Sequence, residues 1–144
     1  METREQKVHD QHERQRLGEQ TGRQTQTQRK RHTLRLLEAH QRGVMVQILV
    51  DKSAIAPGEK ESEAERLAKA GIPITVDHAH PIMHAKVIVI DGHLTITGSY
   101  NFSAQAERNA ENLLVIRNSG IAQRYQYYWS KLRATAEPLF GDLK

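Results

Sequence analysis

Asp91-Gly92 follows the run Val87-Ile88-Val89-Ile90 and precedes Leu94-Thr95-Ile96-Thr97. An Asp-Gly pair between two β-favouring runs specifies a tight hairpin and leaves few other folds open to this segment. His84 and Lys86 stand two residues apart at the start of the hairpin. On an extended strand they share a face, while Val87 and Val89 take the other. The second strand ends in Gly98-Ser99-Tyr100-Asn101, so Ser99 and Asn101 form a matching pair. An imidazole, an ammonium, a hydroxyl and an amide are therefore expected at one end of the hairpin.

These groups suit attack on a phosphodiester. Imidazole is a competent nucleophile near neutral pH, with an unperturbed pKa of about 6.5. Lys86 offsets phosphate charge, and Ser99 and Asn101 can donate to non-bridging oxygens. Gly98, lacking a side chain, lets substrate approach the backbone closely. A nucleophilic histidine is best oriented through its second ring nitrogen. Glu111, placed just before the strand expected over Asn112–Arg117, is the candidate for that role.

The rest of the chain alternates strand and helix signals. Thr33 is positioned to cap a helix carrying Leu34, Leu36 and Leu37 and stopped by Gly43. Val44–Val50 reads as a buried strand, Asp51–Glu61 as a polar loop, and Ser62–Ala70 as a helix ended by Gly71. Pro73 leads a strand through Val76, and a loop rich in His and Pro runs from Asp77 to Met83. Phe102–Ala110 is expected as a loop or short helix. Ile121, Tyr125, Tyr128, Trp129 and Leu132 recur at helical spacing, which predicts a final helix to about Ala136 with these side chains in the core. The fold class is α/β, a mixed β-sheet flanked by helices.

Residues 1–31 differ from this pattern. Met1, Val8 and Leu17 are their apolar side chains and Gln recurs throughout. This polar Gln/Arg-rich arm is expected to be disordered or a solvated helix. A single domain over 32–144 follows.

The 144-residue chain holds no cysteine, which excludes disulfide and thiol redox chemistry. Its net charge of +4 and pI near 9.5 favour polyanionic partners such as nucleic acid. No run reaches the roughly 18–20 apolar residues of a membrane span. The polar start lacks a secretory core. The expected location is cytoplasmic as written, and periplasmic or secreted if a signal segment is missing from this chain. His78, His80 and His84 invite a metal reading, but Pro81 interrupts their spacing. They are read instead as a polar loop at the mouth of the site, with His80 near substrate and no metal bound.

The spacing His84-x-Lys86, then Asp91, then Gly98-Ser99-x-Asn101 resembles the HxKxxxxDxxxxxxGSxN signature of the phospholipase D superfamily. The likeness extends through Gly71-Ile72-Pro73 upstream and through Ser103 and Asn109-Ala110-Glu111-Asn112 downstream. It covers about Leu34 to Leu139 and is nearest to the small bacterial endonucleases that carry one motif per chain. It implies a metal-independent, cofactor-free, two-step reaction in which His84 forms a phosphohistidine. Lys86, Gly98, Ser99 and Asn101 would bind the phosphate, Glu111 would orient His84, and Asp91 would fix the turn or a lysine, or act catalytically. One motif supplies one histidine, so the resemblance implies a homodimer with the site at its interface.

Relatives of this family begin with a helix and an apolar strand before the helix matching Thr33–Arg42. Here the Gln/Arg-rich arm occupies that position, and apolar surface beside the hairpin is expected to be exposed. The leading expectation is a nonspecific endonuclease cleaving DNA, or RNA. Its competitors are a phospholipase D-type lipid hydrolase or transferase, and a truncated, inactive relative that binds nucleic acid.

Overall fold

The computed structural model describes residues 32–55, 61–103 and 106–141. The expectations for residues 1–31 and for Pro57-Gly58 fall outside these. Helix α1 covers 32–41, followed by β1 (Ile48–Asp51), α2 (Glu63–Lys69), β2 (Ile74–Asp77), β3 (Val87–Ile90), β4 (Leu94–Gly98), β5 (Leu113–Arg117), α3 (Ser119–Arg133) and β6 (Glu137–Pro138). Thr33 is a buried residue already within α1, so it does not cap the described helix. Val44–Gln47 precedes the ladder and strand pairing begins at Ile48.

Helix α2 shows how local sequence fixes the elements. Ser62 accepts from the Glu65 N–H while Glu65 accepts from the Ser62 N–H, a reciprocal capping box. At the other end Gly71, with φ 92°, lets its N–H reach Ala68 and the Ile72 N–H reach Leu67. Only a residue without Cβ adopts that left-handed turn cheaply. Buried Leu67 and Ile72 then join Ala64, Ala68 and Ile74 in a core completed by Leu36, Leu37, Ile48, Val50 and Leu139.

The strands fall into two three-stranded sheets. The first has the order β1-β2-β6, with β1 and β2 parallel around α2 and β6 antiparallel to β2. The two-residue β6 was illegible in the sequence, since Pro138 limits it to an edge. The second sheet is the antiparallel meander β3-β4-β5. The mixed character expected of one sheet is thus confined to the first, and no ladder joins the two among the described residues. Helix α3 ties them together, packing on β3 and β4 and reaching β2.

The stripe of α3 that faces the sheets runs through buried Ala122 and Leu132 and half-buried Tyr125 and Trp129. Tyr128 lies at the margin of that stripe and is 49% exposed, so it is not the core residue its spacing suggested. On β5, Leu113, Leu114 and Val115 are 51%, 55% and 57% exposed. Exposed apolar surface therefore does lie beside the hairpin.

Leu67 and Leu114 should differ sharply in their response to substitution. Leu67→Ala is expected to destabilise by about 2–5 kcal/mol, as buried leucines do. Leu114→Ser should stay within about 0.5 kcal/mol, as surface changes do. Urea denaturation of the two variants measures both.

Candidate active site

Three chain segments leave the second sheet at the same end. Val87 pairs with Thr97, so His84–Lys86 and Ser99–Asn101 emerge side by side from β3 and β4. Gly98 pairs with Leu113, which brings Asn109–Asn112 to the same place. His84 and Lys86 lie just before β3 rather than within it. The first strand is shorter than expected, and the ladder begins at Val87.

The contacts there form a knot. The Ser99 N–H donates to the side-chain carbonyl of Asn112 at 2.7 Å, and the Asn112 N–H donates to the Ser99 hydroxyl at 3.0 Å. The Tyr100 N–H adds a bond of 3.3 Å to the Asn112 carbonyl. The Ser99 hydroxyl donates in turn to Glu111, whose other oxygen accepts from the Asn109 amide at 3.0 Å. These bonds hold the Glu111 carboxyl below its usual range, Ser99 first and Asn109 second, with Lys86 nearby adding its charge.

This arrangement bears on three of the residues singled out from sequence. The Glu111 oxygens accept from Ser99 and Asn109, each with acceptor capacity to spare. The Ser99 hydroxyl donates to Glu111 and accepts from the Asn112 N–H, so Ser99 links the two segments. A Cβ on Gly98 would run into the Asn112 carbonyl, so the missing side chain makes room for β5. Asn112 and Asn109 were not assigned site roles from sequence. The downstream run containing them carried the resemblance but gave no hint of which atoms it would touch.

Lys86 Nζ donates to the His84 carbonyl at 2.8 Å, placing the ammonium beside the nucleophile candidate. The exposed His84 ring has no hydrogen-bond partner among the described residues. Asn101 is exposed, and its backbone carbonyl accepts from Ser103. Asp91 lies elsewhere. With φ values of 50° and 65°, Asp91 and Gly92 form a turn closed by a bond from the His93 N–H to Ile90, with the two positive φ angles of a type I′ turn. Strand geometry puts Asp91 roughly 17 Å along the chain from Lys86. It is a turn residue and does not join the polar cluster.

The loop leading to His84 is anchored by two aspartates missed in the sequence. Asp51 Oδ2 accepts from the Met83 N–H at 2.8 Å and Oδ1 from the Ser53 N–H at 2.9 Å. Bonds from Ser53 and Met83 hold Asp51 at a pKa of about 2 instead of 3.8. Asp77 is fully buried and holds the His80 ring at 2.9 Å. The signal available was position alone: each aspartate ends a strand. Among the described residues no three His, Cys, Asp or Glu side chains gather as a cation site, and no helix is long and apolar enough to cross a membrane.

Comparison with known proteins matches residues 22–133 to a family model described as cardiolipin synthase, PLD-like domain. A phospholipase D from Rickettsia bellii (strain RML369-C) is 42% identical over 103 residues, covering 71% of this chain and 50% of that protein. A mitochondrial cardiolipin hydrolase from Xenopus tropicalis is 33% identical over 108 residues, 74% of this chain and 50% of the relative. The chain spans about half the length of the curated relatives it matches. The crystal structure of Nuc from Salmonella typhimurium, a phospholipase D family member, superposes with a TM-score of 0.68. It is 32% identical, with 76% of this chain and 73% of that one covered.

Gly98→Ala is expected to destabilise by about 1–3 kcal/mol through overpacking against β5. Measured by denaturation, Ser99→Ala should share that loss rather than add to it, since both act on one contact. Asp51 has a depressed folded-state pKa, so its contribution is present above about pH 4 and is lost as pH falls through about 2. Asp51→Asn should lower Tm at pH 7, and the gap to wild type should close between about pH 4 and 2.

Proposed function

The chain belongs to the phospholipase D superfamily, and from that premise we propose that it is a metal-independent phosphodiesterase acting as a nonspecific endonuclease. The observation that carries this reading is the meeting of His84, Lys86, Ser99, Asn101 and Glu111 at one end of the second sheet.

In the proposed reaction an unprotonated nitrogen of His84 attacks phosphorus and displaces the alkoxide, forming a phosphohistidine. Lys86 and Asn101 offset charge on the non-bridging oxygens. The Glu111–Ser99–Asn112 knot holds the segments carrying these groups in place. The leaving oxygen needs a proton, a step worth about 10²–10⁴-fold in rate. We assign it to His84 of a second copy, in a twofold dimer whose site lies at the interface. Water then attacks the phosphohistidine from the vacated side, giving a proton to the second copy's His84, and the N–P bond breaks to release His84. Basic composition and the structural likeness to Nuc support a nucleic-acid substrate. The names of the Rickettsia and Xenopus relatives favour a second reading, a lipid phosphodiester at the same site.

Plasmid DNA incubated with the protein in excess chelator should be nicked and linearised, and His84→Ala should lose at least about 10³-fold in rate, as loss of a nucleophile does. Absence of cleavage by wild type, or equal cleavage by both, overturns the reading. Formation of phosphatidic acid from cardiolipin vesicles without DNA cleavage would select the lipid substrate instead. Light scattering should give twice the chain mass.

A further inference from the structure

Strands β1 and β2 run parallel with Asp51 opposite Asp77, so their carboxyl ends lie side by side. Each aspartate turns back onto the loop between Asp77 and Val87. Asp77 Oδ1 accepts from the Ala79 N–H at 3.1 Å, and Oδ2 holds His80 Nδ1 at 2.9 Å. Lys52 Nζ donates to the His80 carbonyl at 3.1 Å, and Met83 is tied to Asp51 at 2.8 Å. His80 is thus fixed at its ring, at its carbonyl and on both flanks.

Its other ring nitrogen, Nε2, has no partner among the described residues, and the side chain is 48% exposed. Asp77, by contrast, is completely buried. Burying a carboxylate is costly unless bonds compensate it, and here the compensation includes an imidazole. A ring held by a carboxylate at one nitrogen presents the other in a fixed direction. The chemistry assigned to His84 makes no use of this arrangement.

We propose that His80 Nε2 contacts a phosphate of a polynucleotide flanking the one cleaved at His84, with Asp77 as its positioning residue. The two histidines stand four positions apart in sequence. An extended chain spans at most about 14 Å over that length, a reach of a few backbone units. On binding, Nε2 takes up a proton from solvent and donates it in a hydrogen bond to a phosphate oxygen. Asp77 balances the imidazolium, and Lys52 adds a second cation at the same loop. Among the described residues, Asp51, bonded to Met83 of this loop, and His78 and His84 on the loop itself are its other titratable groups.

This inference rests on the endonuclease reading, and a binding measurement separates the two. Fluorescence anisotropy of a labelled single-stranded oligonucleotide, with each variant made in the His84→Ala background, follows binding without cleavage. His80→Ala should weaken binding about tenfold and reduce the slope of log Kd against log salt by about 0.7, the effect of one lost phosphate contact. Asp77→Asn should give a smaller change in the same direction, and His93→Ala, at the far turn, none. Turnover should show the oligonucleotide KM rising about tenfold in His80→Ala, beyond any rise for bis(p-nitrophenyl) phosphate, which has one phosphate. Thermal melting checks that the variants are folded. An unchanged salt slope, or equal KM changes for both substrates, overturns the proposal. Binding that behaves as stated without cleavage by wild type would overturn the endonuclease reading and leave the contact standing.

Discussion

Close approach of Gly98 to the Asn112 carbonyl is the constraint on which the candidate site depends. It lets β5 lie against β4 up to the point where both chains leave the sheet. Ser99 and Asn112 then exchange two bonds, and Glu111 is drawn in behind them. None of these side chains could meet if the backbones were held apart by one methyl group. The site is thus an extension of sheet pairing, in which backbone geometry places the chemistry and side-chain bonds lock it.

A second constraint acts from the other sheet. Asp51 and Asp77 end adjacent parallel strands and grip the loop that delivers His84. The hairpin presents Lys86, while the strand ends of the first sheet restrain the approach to it. Helix α3 spans both sheets and keeps these two contributions in register. The carboxyl ends of parallel strands are where α/β folds commonly gather ligands. Here that habit is combined with the open end of an antiparallel meander.

Much of this was legible in the sequence because it was written locally. Asp91-Gly92 declared its turn, and Ser62 and Gly71 marked the two ends of α2 through capping chemistry that acts within a few residues. The signature spacing singled out His84, Lys86, Ser99 and Asn101, and the downstream run pointed to Glu111. What stayed hidden was non-local. Glu111 accepts from Asn109 and from Ser99, and the latter follows a strand distant in sequence. The same holds for Asp51 and Met83, 32 residues apart. The position of Tyr128 at the margin of α3 required knowing which stripe of the helix meets the sheets, and helical periodicity alone cannot supply that.

Strand β5 pairs with β4 along one side and, among the described residues, with no strand along the other. Its Leu113, Leu114 and Val115 stand largely in solvent. An edge of this kind is a template: its outward N–H and C=O groups sit at the spacing another strand requires, and its side chains supply the adhesion. Association there would be directional, set by backbone bonds and not by general stickiness. It would also begin beside the residues proposed for catalysis. Self-association through β5 would therefore compete for space with substrate, coupling the colloidal behaviour of the protein to access to its site.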